Sequence, residues 1–537
     1  MALRTHLTVL AESSSKYSSL PIFRIPVLNN KDQVQDWSII TYSQFQFDVE
    51  LYARYWARTL KADGISRRSV VAIWSGGMVY NDWCHIYGIA RAGYVPQLFS
   101  LRLPNPDIIY ELMQKANAKA LCHEPSYGSM LVNCPIPIHE TIDIRGYDLS
   151  RAPLPPLVKP HSPSDTSMIF HTSGSTSGCP KLVPCSYQWL DAMITKAYHV
   201  RKPLTPGRQD VTNCIGSMCH IGQTFMLLGS LLHGACTIQP TRMDFGTVEL
   251  MDMIIRCRLN RLQQWPAFLA AHMRLSRQDP KVLALLCGLE EIFYSGQAMP
   301  RDDEEWAYKH NMQLRSCFGN TESGGAMLLS MIGGGRCNPS LRPVPGVKYG
   351  FFPIESAEQT ETAYKNRNGT LLELVIMSDS PDCPDASLCK ADGHFHTGDL
   401  FLEVAPGEYV ARGRDDDWIK SYNSLRCDTK AIEDNVRMMC GALVANCIVV
   451  GNCRPSPALF VEPRAPMDAD KLKKEILRKT RHFHSRRYMH ERITSPELII
   501  VVPENTLPRT ATKGNIRRKA VEDAFKEDLD RIYASLA

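Results

Sequence analysis

Apolar runs of strand length alternate with amphipathic stretches of helix length over the first 345 residues, and this alternation constrains the fold more than any other feature. One helix face is predicted by apolar residues that recur at steps of three and four: Phe45, Val49, Tyr52, Trp56 and Leu60. Residues 70–74 then indicate a short buried strand, 81–91 a helix and 94–99 an extended segment, and a helix opening at Pro106 precedes a strand over 119–122. Strand, helix and strand repeating at this spacing predict a parallel sheet with helices packed on it.

The rest of the chain changes character twice. Residues 151–165 are rich in Pro and Ser and are predicted to form a connector. Turns and short strands from 369 to 410 indicate a smaller β-rich piece, and short strands with two charged helices after Gly413 indicate a compact unit. We therefore expect an α/β protein with a large N-terminal domain over 1–412, made of packed α/β subdomains plus a β-rich subdomain, and a small α+β C-terminal domain over 413–537.

Length, charge and hydropathy exclude several classes of function. A chain of 537 residues is longer than one hydrophobic core requires, and a formal net charge of only +5 gives no reason to expect nucleic-acid binding. No stretch approaches the roughly 20 apolar residues of a membrane span. The first apolar run is too short for a signal peptide, and the last three residues are not a peroxisomal signal, so a cytoplasmic location is expected. The 18 cysteines form no C-x-x-C pair and are expected to be reduced thiols.

The strongest local motif reads HTSGSTSGCPK over 171–181, directly after a predicted strand. Glycines let a backbone approach a ligand closely, successive N–H groups form an anion-binding nest, and hydroxyls and a lysine add donors and charge. A polyphosphate requires such groups, and the candidates are Thr172, Ser173, Gly174, Ser175, Thr176 and Lys181. The motif is not a Walker loop, because Cys179 and Pro180 separate Gly178 from the lysine. Taken alone, it could also be a Ser/Gly-rich surface loop.

A second motif, FGNTE over 318–322, is suited to a nucleotide. Phe318 can stack on a purine and Thr321 can donate to a phosphate, while Glu322 offers the carboxylate oxygen that Mg²⁺ prefers. A turn that ends a core strand is the alternative explanation.

Three further segments are weak signals singly. In FHTGD over 395–399, Asp399 can accept hydrogen bonds from both ribose hydroxyls. The other two are GRDDDWIK over 413–420 and LPRTATKGNIRR over 507–518, and a charged turn would explain either of them.

Together and in this order, the five motifs resemble those of the adenylate-forming superfamily, which includes acyl- and aryl-CoA ligases, adenylation domains of peptide synthetases and beetle luciferases. The resemblance runs from about residue 35 to about residue 520. Within the superfamily, the sequence looks most like fungal synthetase-like enzymes. It implies ATP-dependent activation of a carboxylic acid as its acyl-AMP, with ATP, Mg²⁺ and CoA taking part. It also implies that the small C-terminal domain is mobile about a hinge.

The resemblance implies where a nucleotide would lie. The loop over 172–181 corresponds to the motif that wraps the β- and γ-phosphates, and Thr321 and Glu322 correspond to residues that address the α-phosphate and Mg²⁺. The ribose would be bound by Asp399 and Arg414. The adenine would be bordered by Ser316, Phe318 and Gly319.

Catalysis and domain movement are implied for two further residues. Asp416 falls at the hinge of the family, and Lys513 is the candidate for the mobile lysine that bridges the carboxylate and the α-phosphate. The last motif here has the order Lys-Gly where Gly-Lys is common, so Lys513 is offset by one position. Arg509 and Lys519 are the alternatives.

The segment GSMCHIGQ over 216–223 bears on the acid. Amino-acid-activating members of the family carry an Asp early in this segment to pair with the α-amino group, whereas here it has no acidic residue, and a buried ammonium without a partner is heavily penalised. A non-amino acid is therefore expected. His220 matches a histidine that many acyl- and aryl-CoA ligases place near the carboxylate, with a buried core histidine as the alternative.

Glycine-rich walls are predicted for the acid pocket, and they would leave room for a flat ring or a chain. An aromatic acid and a medium-chain acid therefore both fit. The predicted pocket residues are His220, Gly222, Ser295, Gly296, Gln297 and Gly324.

Two acceptors are compatible with the sequence. No carrier, reductase or condensation domain is expected after the last motif, so the acyl group would pass to free CoA or to a carrier protein in trans. A CoA ligase is the leading hypothesis. A nucleotide sensor without catalytic activity is the non-enzyme alternative, and the offset lysine is its only support.

Overall fold

A computed structural model of the protein describes residues 3–100, 105–149, 151–172, 181–334, 339–354, 370–415, 418–420, 426–485, 487, 489–510 and 515–536. The helices are α1 (His6–Lys16), α2 (Tyr42–Ala62), α3 (Tyr80–Ala92), α4 (Pro106–Lys115), α5 (Tyr187–Val200), α6 (Ile221–His233), α7 (Thr247–Arg256), α8 (Pro266–Ser276), α9 (Pro280–Cys287), α10 (Arg301–Lys309), α11 (Thr429–Cys440), α12 (Ala469–Ser485), α13 (Arg518–Ala524) and α14 (Lys526–Leu536). The strands are β1 (Pro21–Leu28), β2 (Val34–Thr41), β3 (Val70–Trp74), β4 (Val95–Phe99), β5 (Ala120–His123), β6 (Ile138–Glu140), β7 (Thr166–Thr172), β8 (Lys181–Ser186), β9 (Val211–Asn213), β10 (Cys236–Ile238), β11 (Arg261–Gln263), β12 (Glu291–Ser295), β13 (Leu314–Asn320), β14 (Gly325–Leu329), β15 (Arg342–Pro343), β16 (Tyr349–Pro353), β17 (Leu371–Ile376), β18 (Phe395–Ala405), β19 (Glu408–Arg414), β20 (Trp418–Lys420), β21 (Arg426–Asp428), β22 (Val444–Val450), β23 (Ala458–Pro463) and β24 (Ile499–Val501).

Two large sheets, each parallel at its centre, form most of the N-terminal part. The first has the order β15-β14-β13-β12-β11-β9-β10-β1-β2, with parallel pairing from β13 through to β1. The second has the order β6-β5-β3-β4-β7-β8, in which β7 and β8 pair antiparallel at one edge. The predicted alternation of strands and helices is confirmed, and β3 occupies the predicted residues 70–74.

Local sequence explains where several of these elements begin and end. Pro106 lies in the first turn of α4, and the side chain of Asn105 accepts a hydrogen bond from the N–H of Asp107. Gly93 ends α3 with φ of 99°, a left-handed conformation that residues with a side chain rarely adopt. These signals set the lengths of the helices that cover the second sheet.

An antiparallel sheet and a smaller α+β unit complete the chain. β16, β17, β18 and β19 form the antiparallel sheet, and β22, β23 and β24 form a sheet in the C-terminal part. The C-terminal part has a hydrophobic core of its own, which includes Ile432, Phe460, Ile476 and Leu529. The protein therefore has the predicted mixed α/β fold, with a large N-terminal domain and a smaller C-terminal domain. Within the described ranges, no helix is both long enough and apolar enough to cross a membrane.

Buried charges join the amino ends of β11, β12 and β13. The carboxylate of Glu291 lies 2.7 Å from the guanidinium of Arg261, 3.1 Å from that of Arg201 and 3.0 Å from that of Arg315. Burial disfavours the ionised form of Glu291, but these guanidinium groups hold its pKa below the usual value. The opposite, carboxyl ends of the same strands are where open α/β sheets bind ligands.

A buried lysine on α5 connects the antiparallel sheet to the first large sheet. The Nζ of Lys196 donates to Oδ2 of Asp382 at 2.8 Å and to the carbonyl oxygen of Ser323, and both charged side chains are 1% exposed. The hydroxyls of Tyr349 and Ser380 donate to the same carboxylate, at 2.5 and 2.6 Å. Three parts of the chain therefore meet at one ammonium group: α5, the segment before β18 and the turn after β13.

We predict that Lys196→Met lowers the free energy of unfolding by about 3–5 kcal/mol, because it leaves the Asp382 carboxylate buried without its cation. Urea titration measures this cost.

Lys348→Met is the matched control. Lys348 pairs with Asp379 at 2.6 Å, but the two side chains are 61% and 65% exposed, so the cost should stay below about 1 kcal/mol. An equal cost for both variants would contradict a structural role for the buried pair.

Candidate active site

The carboxyl ends of β11, β12 and β13 border a cleft of about 2790 Å³. The ends of β7 and β8, the paired strands β18 and β19, and part of the C-terminal domain also line it. The cleft therefore lies where the sheet topology places ligands in α/β proteins.

Most of the site residues predicted from the sequence line this cleft: Thr172, Lys181, His220, Gly222, Ser295, Gly296, Gln297, Phe318, Gly319, Thr321, Glu322, Asp399 and Arg414. Ser316 lies just before the cleft-lining part of β13, and Gly324 packs against Trp189 and Met193 of α5. Other predicted residues lie outside the described part of the chain: Ser173, Gly174, Ser175, Thr176, Asp416 and Lys513.

The two ends of the predicted phosphate loop are adjacent. Thr172 ends β7 and Lys181 begins β8, and they are direct partners in the antiparallel pairing. The preceding His171 stacks on Phe99 with ring centroids 4.3 Å apart. Its Nδ1–H donates to the carbonyl of Leu98 at 2.9 Å, and burial lowers its pKa to about 4, so the ring is neutral. The base of the loop is therefore packed and uncharged apart from the lysine.

The turn between β13 and β14 presents the second motif. A Cβ on Gly319 would overlap the carbonyl oxygen of Gly325, so only glycine permits the two strands to approach this closely. The backbone carbonyl of Glu322 accepts a hydrogen bond from Nε1 of Trp189 at 2.9 Å, and Thr321 and Glu322 both line the cleft. The turn is thus held from behind while its polar side chains face the cleft.

Asp399 and Arg414 form an ion pair across neighbouring strands. They are direct partners in the pairing of β18 with β19, and Nη1 of Arg414 lies 3.1 Å from Oδ1 of Asp399. The N–H of Asp399 donates to the hydroxyl of Thr397 at 3.0 Å. These two residues are fifteen positions apart in the sequence, and the pairing of β18 with β19 brings them together.

His396 lies between two carboxylates beside this ion pair. Its Nδ1 is 3.0 Å from Oε2 of Glu373 and its Nε2 is 2.9 Å from Oδ2 of Asp392. Burial opposes protonation, but these two hydrogen bonds raise the pKa of His396 above its usual value. Glu373 also accepts from the N–H of Gly398 through its other oxygen, at 3.1 Å, so the histidine braces the turn that carries Asp399.

His220 caps the helix that forms one side of the predicted acid pocket. Its Nδ1 accepts from the N–H of Gly222 at 3.1 Å, so the neutral ring carries its proton on Nε2. The indole of Trp265 meets this ring edge-on, with centroids 5.8 Å apart and planes at 88°. Trp265 follows β11 and lines the cleft, and no local signal in the sequence marked it as a pocket residue.

The C-terminal domain adds basic groups to the cleft. Arg509 lines it and forms an ion pair with Glu462, while Lys519 lines it near the start of α13. Among the residues described, no group of three or more His, Cys, Asp or Glu side chains is arranged to hold a metal ion.

A family model for the AMP-binding enzyme matches residues 25–350, more than half of the chain, and a model for the AMP-binding enzyme C-terminal domain matches residues 416–537. The chain belongs to the AMP-binding enzyme family. The predicted resemblance to adenylate-forming enzymes is thereby confirmed.

Relatives of this AMP-binding enzyme include two fungal proteins. It is 36% identical over 519 residues to the AMP-binding domain-containing enzyme iboA of Amanita muscaria (strain Koide BX008), covering 94% of this chain and 98% of that protein. It is 21% identical to the adenylate-forming reductase Nps11 of Serpula lacrymans var. lacrymans (strain S7.9). That alignment covers 83% of this chain and 42% of the reductase.

Solved structures share the fold of this AMP-binding enzyme at low sequence identity. O-succinylbenzoate CoA synthetase (MenE) from Bacillus subtilis, in complex with AMP, superposes with a TM-score of 0.73 at 15% identity, covering 96% of this chain and 98% of that one. The anthranilate CoA ligase AuaEII, in complex with anthranoyl-AMP, superposes with a TM-score of 0.71 at 18% identity and covers 98% of each chain. These structures establish the fold, and the family match supports adenylate formation.

The brace at His396 predicts a pH dependence of stability. Because its pKa is raised in the folded protein, its contribution is fully present below the unfolded value of about 6.5 and is lost as the pH rises through the folded pKa. We predict that the destabilisation caused by His396→Gln is larger at about pH 6 than at about pH 9, as measured by urea titration at each pH.

His482→Gln, on the exposed face of α12, is the control and should show no such difference. A destabilisation by His396→Gln that grows with pH would contradict the assignment of a raised pKa.

Proposed function

We propose that this enzyme uses ATP to activate a non-amino carboxylic acid as its acyl-AMP and then transfers the acyl group to CoA as a thioester. One observation carries the proposal. The described ends of the phosphate loop, the Thr321–Glu322 turn, the Asp399–Arg414 pair and His220 all line a single cleft. Acid activation by adenylate formation is also the chemistry of the family.

The first half-reaction needs a nucleotide held along this cleft. A carboxylate oxygen attacks the α-phosphorus, the bond to the bridging oxygen of the β-phosphate breaks, and pyrophosphate leaves. The loop over 172–181 would hold the β- and γ-phosphates. The residues proposed to do so are Thr172 and Lys181 at its two ends and Ser173, Gly174, Ser175 and Thr176 between them. Thr321 would donate to the α-phosphate.

The nucleoside would lie between the FGNTE motif over 318–322 and the antiparallel sheet formed by β16 to β19. Asp399 would accept from the ribose hydroxyls while Arg414 holds its carboxylate in place. The adenine would be bordered by Ser316, Phe318 and Gly319.

Glu322 fits the proposed metal. Mg²⁺ is usually bound through one or two carboxylates together with substrate phosphates and water, so a single carboxylate facing the cleft suffices. When bound, Mg²⁺ would neutralise charge on the phosphates.

The surroundings of His220 support a non-amino acid. The segment 216–223 that carries His220 has no acidic residue, and Phe225 and Met226 on the helix that follows it line the cleft with apolar side chains. An α-ammonium group would lack a carboxylate partner among these side chains, and such burial is costly.

CoA is the proposed acceptor because basic groups of the C-terminal domain line the cleft, and phosphate groups are bound by such side chains. In the second half-reaction the thiol sulfur attacks the acyl carbonyl, its proton is released, and AMP leaves. Asp416 is the proposed hinge for a movement of the C-terminal domain between the two half-reactions. A carrier protein in trans is the alternative acceptor. We retain this alternative because part of an adenylate-forming reductase matches this chain.

The acid and the acceptor are tested in two steps. ATP–pyrophosphate exchange is measured with aryl, aliphatic and α-amino acids, and the active acid is then offered with CoA or with a phosphopantetheinylated carrier protein. Acyl-CoA detected by mass spectrometry supports the proposal. Exchange driven by α-amino acids alone would overturn the acid class, and transfer to the carrier alone would overturn the choice of CoA.

Lys513 is the proposed bridge between the carboxylate and the α-phosphate. Losing one preorganised donor to a developing charge costs about 10²–10³ in rate, so Lys513→Ala should slow pyrophosphate exchange by at least about 10². The variant should still convert synthetic acyl-AMP to product. Exposed Lys474 on α12 supplies the control, since Lys474→Ala should exchange like wild type. Wild-type exchange in Lys513→Ala, with loss in Lys519→Ala or Arg509→Ala, would reassign the lysine role.

A further inference from the structure

The glycines that the sequence predicts as open pocket walls face aromatic rings in the structure. A Cβ added to Gly296 would lie 2.8 Å from Cζ3 of Trp265, and one added to Gly222 would lie 3.9 Å from Cη2 of the same ring. A Cβ on Gly216 would lie 3.8 Å from its Nε1. Three glycines from two segments, 216–223 and the turn after β12, thus lie beside one indole, and Gly296 makes the closest approach.

Two further glycines, in the turn between β13 and β14, follow the same pattern. A Cβ on Gly325 would lie 2.9 Å from the ring of Phe225, and one on Gly324 would lie 3.1 Å from that of Trp189. The space left by these missing side chains is therefore already filled by protein. Glycine here serves close packing of aromatic rings, so it does not indicate volume for a long substrate.

The indole of Trp265, at the junction of β11 and α8, is positioned by packing against Gly296 and His220. Its Nε1 is buried and donates to no acceptor among the described residues. Gly296 has φ of 86°, a conformation that favours glycine, so the backbone against which the ring packs is itself specified. The ring is half-buried, and its remaining surface borders the cleft.

The indole of Trp265 borders the cleft directly beside His220. The indole lies edge-on to the imidazole with centroids 5.8 Å apart, and the imidazole is fixed by the N–H of Gly222. An acid whose carboxylate lies near His220 therefore meets the indole within about the length of one ring.

We propose that Trp265 forms the end wall of the acid pocket and restricts the enzyme to small acids, either single-ring aromatic or short-chain, and excludes medium-chain acids. This inference rests on the proposed function and narrows its substrate class. The observation that carries it is the packing of Trp265 against Gly296, Gly222 and His220.

The test is a chain-length profile of pyrophosphate exchange. Wild type, Trp265→Ala and Trp265→Phe are each assayed with benzoate, butyrate, hexanoate, octanoate and decanoate. Wild type should exchange with benzoate or butyrate and not with octanoate or decanoate. One methylene in an apolar pocket is worth about 10–200-fold in discrimination, so the ratio of octanoate to benzoate exchange should rise at least about tenfold in Trp265→Ala.

Two variants keep this test informative. Trp265→Phe retains an aromatic ring against the glycines, so it should fold and show a smaller shift in the same direction. Trp306→Leu is the matched control, because Trp306 belongs to α10, donates from Nε1 to the hydroxyl of Ser276 at 3.0 Å and does not line the cleft. Its profile should equal that of wild type.

The outcomes separate this inference from the proposed function. Exchange in wild type that is as fast with octanoate as with benzoate, or a profile unchanged in both Trp265 variants, overturns the inference and leaves the proposed function standing. Exchange with α-amino acids alone, and with none of these carboxylic acids, overturns the proposed function itself.

Discussion

The ammonium group of Lys196 is the point at which the geometry of the cleft is fixed. It is buried, and it satisfies at once the carboxylate of Asp382 and the carbonyl of Ser323. A buried charge requires its partners to remain in place, because separating them exposes an uncompensated charge to a medium of low dielectric. The turn that carries Thr321 and Glu322 is thereby tied to the segment that leads into β18 and Asp399. Two parts of the cleft wall that come from different sheets are thus connected through one side chain.

The two ends of the central strands have different surroundings: a buried ionic cluster at the amino ends and the cleft at the carboxyl ends. At their amino ends, β11, β12 and β13 are joined by Glu291 and its three arginines, all largely removed from solvent. At their carboxyl ends, the same strands lead to Trp265, Gly296 and Phe318 in the cleft. The residues that tie these strands together and the residues that border the cleft therefore lie at opposite ends of the same three strands.

Local patterns predicted much of this molecule, and their limits have physical causes. The buried face of α2 and the strand over 70–74 are properties of neighbouring residues and were predicted correctly, as was the family resemblance that the five motifs indicated. The Lys196–Asp382 contact joins residues 186 positions apart, and no local period specifies such a pair. Trp265 was missed because a tryptophan before a helix-initiating proline has no distinctive signal. The glycines were recognised, but the rings that fill the space beside them come from other segments of the chain. Membership of the adenylate-forming family was therefore predictable from the motifs, whereas the packing around the cleft required the fold.

The central claim is that the acid is activated as an acyl-AMP, and the fate of a carboxylate oxygen tests it most directly. When a carboxylate attacks the α-phosphorus and the acyl group is later transferred, one carboxylate oxygen stays on the phosphorus. The acid that supports pyrophosphate exchange is labelled with ¹⁸O in its carboxylate and incubated with the enzyme, ATP, Mg²⁺ and a thiol acceptor, and the products are analysed by mass spectrometry. The account predicts one ¹⁸O atom in the AMP that is released. Unlabelled AMP, or ¹⁸O found in inorganic phosphate with ADP as the nucleotide product, would contradict it.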